Sequence, residues 1–432
     1  MRTAPALPAT GRHRSRGPPG VRLADLSTGA LMTQFSSTAD IARPGPWEDL
    51  PAAQQPDWRD HAARAAVCAR LASAAPLVTA DEVRELRQTL SDLTMTGALL
   101  LQLGDCAESF FECTPWHVER KLRVVDRLAD SLGELTGRSV VRVGRMGGQF
   151  AKPRSQATES HGSADIPSFR GHMINSEIAT PPARQPEPRR MAWAYDASAE
   201  VQRVMRAHRV DRARTPAGQG PWSSHEALVI DYESRLVRHD IGTDELYLSS
   251  THLPWVGERT REPEGAHVSL LSRVVNPVGC KIGPAADPDE VLRVCEALDP
   301  RREPGRLVLI PRMGRDGIRE ALPPIVRRVA NAGHPVIWLC DPMHGNTVKS
   351  RSGLKTRHLT DVISEAVRFR DILQESRQQA AGLHIEVAAD DVTECIGGSV
   401  ESEDHITGHY TSLCDPRLNP DQALELIEAW AK

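Results

Sequence analysis

Seven times along this chain a short apolar run ends in a loop marked by glycine or proline and then, in most cases, gives way to a stretch with helical spacing. The runs are ALLLQLGDCAES, SVVRVGRMGGQFAKPRS, LYLSSTHLPWVGERTR, NPVGCKIGP, RLVLIPRMGRD, PVIWLCDPMHGN and GLHIEVAADD. Between them, DPDEVLRVCEALDP (287–300) and GIREALPPIVRRVANAG (317–333) carry apolar residues every three or four positions, which predicts helices. Strands separated by helices pair in parallel. Seven or eight such units predict an α/β fold, a (β/α)8 TIM barrel with an N-terminal helical extension. An open doubly wound sheet would need a G-x-G-x-x-G turn after its first strand, and that turn is missing.

Ahead of the first run, DWRDHAARAAVCARLASAAP and TADEVRELRQTLSDL predict two helices, the second capped by Thr79. Residues 1–45 are rich in Pro, Gly, Ser and Arg and predict a disordered extension, with no apolar stretch of secretory-leader length and with Met32 as an alternative start; 46–432 predict one catalytic barrel domain. No segment approaches the roughly 20 apolar residues of a membrane span. With 53 Lys and Arg against 57 Asp and Glu, the formal charge of −4 argues against nucleic-acid or membrane partners, so any anion must be bound locally. Eight cysteines without CxxC spacing in so large a chain predict a reducing, cytoplasmic setting.

In a barrel the chemistry gathers at the carboxyl ends of the strands. Cys106, His344, Glu386 and Asp415 all end or follow strand-like runs there. Taken singly, they read as a small buried hydrophobe, a turn histidine and two loop carboxylates. Taken together they are a mixed S/N/O set suited to Mn²⁺ or Co²⁺, with Fe²⁺ or Zn²⁺ as alternatives. Arg145, Lys152, Arg154 and Ser155 surround Gly147 and Gly148 in a loop that can close on a phosphate or carboxylate. Arg259, Lys281 and Arg312 repeat the theme at three further strand ends, whereas Arg261 and Arg315 read as surface solvation. Two anion sites beside one divalent metal suggest a reaction between phosphorylated small molecules. Glu226 opens an amphipathic helix in SSHEALVIDYE, either as a helix-start carboxylate or as a group that orients water.

From Trp47 to the C-terminus, the ordered series WEDLPAAQQPDW, LLLQLGDCAE, GQFAKPRS, SSHEALVIDYE, WVGERTR, GAHVSLLSRVVNPVGCKIGP, PRMGRDGIREALPPIV, GHPVIWLCDPMHGNT, KTRHL, GLHIEV, VTECIGG and CDPRLN resembles class II (plant-type) 3-deoxy-D-arabino-heptulosonate-7-phosphate (DAHP) synthases. The resemblance implies a barrel transferase that condenses phosphoenolpyruvate with erythrose 4-phosphate and releases phosphate, most simply as a homodimer. By motif, Cys106, His344, Glu386 and Asp415 would bind the metal. Arg145, Glu258, Arg259, Lys281 and Arg312 would form the phosphoenolpyruvate pocket, and Lys152, Arg154 and Ser155 would hold the aldose phosphate. Lys281, Glu226 and Arg145 would be catalytic, with Glu226 orienting the water that adds.

The chain departs from the family pattern at Leu103, Phe150, His172 and Ser176, the last two in a loop expected near the aldose end of the site. That leaves an amino- or imino-tetrose phosphate as an alternative acceptor, as in the branch of the family that serves antibiotic pathways. Only about a dozen Pro- and Gly-rich residues separate DASAEVQRVMRAHRV from SSHEAL, where feedback-regulated members carry two inserted helices. An unregulated, secondary-metabolism enzyme is therefore expected. Cys414 is placed to approach Cys106. A metal-dependent hydrolase, which would need no second anion site, and a non-catalytic pathway scaffold, which would have shed ligands, are the readings from other classes.

Overall fold

The computed structural model describes residues 45–161, 164–212 and 220–432; the expected extension and part of the short connection lie outside the described residues. Eight parallel strands close into a barrel. In chain order they are β1 (Leu99–Gly104), β2 (Val140–Arg145), β3 (Trp222–Glu226), β4 (Leu253–Val256), β5 (Val278–Ile282), β6 (Leu307–Pro311), β7 (Ile337–Cys340) and β8 (Ala380–Glu386). The helices are α1 (His61–Ser73) and α2 (Ala80–Thr96) before the barrel, then α3 (Pro115–Thr136), α4 (Arg189–Arg212), α5 (Ala266–Ser272), α6 (Pro288–Leu298), α7 (Ile318–Asn331), α8 (Leu359–Glu375) and α9 (Pro420–Ala431). The predicted fold class is the observed one.

The eighth strand is β3, whose sequence WSSHE shows no apolar run. It stays buried because its polar groups find partners inside the protein: Ser224 Oγ bonds Gly144 O at 3.0 Å and Gln102 Nε2 at 2.9 Å, and His225 Nε2 meets Glu233 at 2.9 Å. Glu226 is thus the last residue of a strand, and only the short turn of helix Ile230–Glu233 follows it. The run LYLSSTHLPWV likewise divides into one arm of a surface hairpin, Glu245–Leu248, and barrel strand β4.

Thr79 caps α2 in a full capping box with Glu82. Leu86, Leu90 and Leu93 of this helix pack with Leu100, Val141, Val143, Trp222, Leu253, Val308, Ile310, Ile337, Leu339 and Ala381, drawn from seven of the eight strands. Helix α2 therefore closes the amino-terminal end of the barrel interior, which leaves the carboxyl end for chemistry. There the register fixes the rim: Gly104 pairs with Arg145 on one side and with Glu386 on the other. Gly104 has φ +152°, and a Cβ on it would lie 2.8 Å from Arg145 O, so glycine lets the three strand ends approach.

Candidate active site

Glu386, the last residue of β8, is fully buried and receives four donors or neighbours. Arg145 Nη2 donates to Oε1 at 3.0 Å, Lys152 Nζ to Oε1 at 3.2 Å and Arg357 Nη1 to Oε2 at 2.8 Å, while His344 Nε2 stands 3.1 Å from Oε1. Against burial, His344, Lys152 and Arg357 hold this carboxyl well below the usual range. Donor atoms of Cys106, Glu386 and Asp415 all lie within 4.8 Å of one another. Three of the four predicted metal ligands therefore converge, and His344 joins them through Glu386.

The donor set fits a cation by two observations. Lys152 Nζ lies 2.8 Å from Cys106 Sγ, 3.1 Å from Asp415 Oδ2 and 3.4 Å from His344 Nε2, so an ammonium stands where the four groups meet. His344 Nδ1 donates to Asp341 Oδ2 at 2.8 Å, which turns the Nε2 lone pair toward the Glu386 carboxylate, a pairing that a positive ion relieves. Lys152, expected on the aldose phosphate, thus also stands among the metal candidates. Burial pushes the Cys106 thiol up, while its hydrogen bond to Cys414 holds the Cys414 thiol down; both are free, and the approach of Cys414 is as the sequence suggested.

Above this cluster opens a cleft of about 730 Å³. Arg145, Lys152, Arg154, Ser155, Glu226, Glu258, Arg259, Lys281, Arg312, His344 and Asp415 all line it, with Lys349 and Lys355 from a segment for which the sequence reading named no site residue. Lys281 is buried beside Asp341, and burial first, then the nearby Arg145 charge, pulls its amine down to about 8. Arg312 Nη2 bonds His344 O at 2.7 Å. Arg154 pairs with Glu159 and the exposed Arg259 with Ser155. Glu226 is buried, its Oε1 has no hydrogen-bond partner, and burial raises its pKa against the pull of Lys281, Lys152, Arg145 and Arg259. Glycine at 257 makes room for it, since a Cβ there would lie 2.0 Å from that oxygen.

Several expectations need correction. The amides of Gly147, Gly148 and Gln149 are taken by the buried Glu108 carboxylate, which accepts all three at 2.8 to 2.9 Å, so this loop meets the cleft through the side chains of Arg145, Lys152, Arg154 and Ser155. Arg261 is a buried partner of Glu258 and Glu290, at 3.1 and 2.9 Å, and holds Glu258 in place; Arg315 is the surface residue it was taken for, paired with Asp361 and Asp316. His172 is buried away from the cleft wall: its Nδ1 accepts from Phe110 N at 3.0 Å, its Nε2 meets Glu177 at 2.8 Å, and Phe110, Phe111 and Phe169 surround the ring. Ser176 bonds Glu177 beside it. Neither residue lines the cleft.

The sequence reading also missed the groups that aim the site. Asp341 links Lys281 to His344, and against burial those two neighbours hold it well below the usual carboxylate range. His384 lies one layer beneath Glu386. Its Nδ1 donates to Gln102 Oε1 at 2.7 Å and its Nε2 accepts from Arg145, and burial keeps it neutral. Spacing carried a signal for both: Asp341 stands three residues before His344, and His384 two before Glu386 on the same strand face.

The class-II DAHP synthetase family matches residues 42–217 and 210–431. The chain belongs to that family. It is 43% identical over 379 residues to a probable phospho-2-dehydro-3-deoxyheptonate aldolase of Pseudomonas fluorescens, covering 88% of this chain and 94% of that protein. A phospho-2-dehydro-3-deoxyheptonate aldolase of Streptomyces coelicolor is 40% identical over 425 residues, with 88% and 94% covered, and one of Mycolicibacterium smegmatis is 37% identical over 426 residues, with 87% and 91% covered. Members of the class-II family are generally dependent on a divalent metal and use phosphoenolpyruvate and erythrose 4-phosphate.

Proposed function

We infer that this chain is a DAHP synthase whose metal is held by Cys106, His344, Glu386 and Asp415, with Mn²⁺ or Co²⁺ suited to so mixed a donor set. The observation that carries the reading is the convergence of a thiol and two carboxylates within 4.8 Å at the floor of a cleft walled by basic side chains. Bound metal would supply Lewis acidity to the aldehyde carbonyl of erythrose 4-phosphate. Lys281, Arg312 and Arg145 balance the carboxylate and phosphate charge of phosphoenolpyruvate and set its enol carbon against that carbonyl. Glu258 and Arg259 complete the phosphoenolpyruvate pocket, and Lys152, Arg154 and Ser155 suit the aldose phosphate. Glu226, with a raised pKa and a free oxygen, is suited to orient the water that adds to the cationic centre left by carbon–carbon bond formation and to take its proton. Loss of phosphate from the adduct completes the turnover.

The test is a coupled assay of phosphoenolpyruvate consumption with erythrose 4-phosphate and with its amino analogue, each with and without chelator. Consumption and phosphate release that need erythrose 4-phosphate and stop with chelator are expected. Consumption without an acceptor would exclude the condensation, and preference for the amino analogue would transfer the enzyme to the antibiotic branch. The short link between Arg212 and Trp222 supports an enzyme of secondary metabolism insensitive to Phe, Tyr and Trp, singly or mixed. All eight cysteines are free thiols, which supports a cytoplasmic setting. The exposed Phe111, Trp116, Ile178 and Trp193 support a homodimer, which sedimentation at micromolar concentration would test. No helix among the described residues is long and apolar enough to cross a membrane.

A further inference from the structure

Glu365 of α8 is fully buried and lies outside the cleft. Its partners are neither lysine nor arginine. Oε1 accepts from Met313 N at 2.7 Å and Gly314 N at 2.9 Å, and Oε2 accepts from Asn346 Nδ2 at 2.7 Å. Met313 and Gly314 directly follow Arg312, and Asn346 lies two residues after His344. The carboxylate therefore grips the loops after β6 and β7 from behind.

Those loops behave as one unit. Asn346 Nδ2 also donates to Pro342 O at 2.8 Å, and its Oδ1 accepts from Arg315 N at 3.0 Å. A Cβ on Gly345 would lie 2.2 Å from Gly314 N, so the two backbones touch, and Arg312 itself donates to His344 O. That last bond is the link on the cleft side, and Glu365 supplies the one behind it. The three converging donors require acceptor lone pairs on both terminal atoms, which a carboxyl group supplies and an amide does not.

We propose that Glu365 is a positioning residue that fixes the Arg312 guanidinium and the His344 imidazole relative to each other, and so ties the grip on phosphoenolpyruvate to the metal site. The proposal rests on the DAHP synthase reading for the roles of those two side chains. A buried group that aims a ligand in this way typically changes metal affinity 10- to 100-fold when altered.

The experiment compares wild type with Glu365→Gln, Asn346→Ala and the double variant Glu365→Gln/Asn346→Asp, each first checked for a folded circular-dichroism spectrum. Two readouts follow: Mn²⁺ affinity by direct titration, and KM for each substrate separately from kcat. Glu365→Gln points an amide N–H₂ at the Asn346 amide; the double variant restores one donor facing one acceptor. Expected are an at least tenfold weaker Mn²⁺ affinity and an at least tenfold higher KM for phosphoenolpyruvate in Glu365→Gln and Asn346→Ala. KM for erythrose 4-phosphate should stay within twofold, and the double variant should recover at least threefold of the loss. Folded single variants with Mn²⁺ affinity and phosphoenolpyruvate KM within twofold of wild type would overturn the proposal, as would an equal loss for both substrates. If Glu365→Gln does not fold, Asn346→Ala decides. Should wild type fail to consume phosphoenolpyruvate, the DAHP synthase reading falls, while the Mn²⁺ titration still decides whether Glu365 aims the ligand.

Discussion

At the residue scale, Lys281 makes the sharpest claim. Its ammonium is held down to about 8 by burial and by Arg145, against the pull of Asp341. As pH rises through about 8 the amine loses its charge and the anion grip weakens, so KM for phosphoenolpyruvate should climb up to tenfold per pH unit above that point and stay flat below it. The fold is not the cause: a lysine depressed in the native state makes that state relatively more stable as pH rises between about 8 and the ordinary lysine value. Lys281→Arg, which keeps its charge, should abolish the climb, and a pH series of initial rates checks it. Lys152 gives a second prediction. Lys152→Met removes the ammonium from among Cys106, Glu386 and Asp415, so the metal-free protein should lose thermal stability by several degrees and regain more than wild type when Mn²⁺ is added, as read by calorimetry. The four candidate ligands were legible because a thiol, an imidazole and two acids each end or follow a strand-like run. The centre taken by Lys152 was not, because which way a long flexible side chain turns is decided by neighbours hundreds of positions away in the chain.

At the scale of elements, what could be read was whatever repeats. Apolar runs alternating with helical stretches showed seven strands, and Thr79 as an N-cap showed where α2 begins. Strand β3 escaped because its interior contacts are hydrogen bonds from Ser223, Ser224 and His225, and no periodic apolar signal accompanies a strand satisfied in that way. The Gly147–Gly148 turn hid a partner for a related reason: its amides are accepted by Glu108, a contact that only the fold reveals. Gly104 turns this into a test. Gly104→Ala sets a Cβ 2.8 Å from Arg145 O at φ +152°, a strain of about 1–3 kcal/mol placed on the rim that carries Arg145 and Glu386. At least a tenfold drop in kcat is expected with a modest fall in Tm. Gly137→Ala, at φ +66° with open space around it, should cost about 1 kcal/mol of stability and leave kcat alone.

For the whole molecule, the barrel separates what holds it together from what it does. Its carboxyl rim collects buried charges that are costly to assemble, and its opposite end is an apolar plug of leucines from α2 packed against seven strands. A cavity at that plug should therefore lower stability without touching chemistry. Leu90 is fully buried there, and Leu90→Ala is expected to cost about 2–5 kcal/mol, measured as a lower urea midpoint with unchanged slope. At temperatures well below the new Tm, kcat and both KM values should match wild type, because the register that sets Gly104 beside Arg145 and Glu386 lies at the other end of the strands. A fall in kcat at full occupancy of the native state would mean that the plug is coupled to the rim through the strands, and the division of the barrel into a stabilising end and a working end would not hold for this chain.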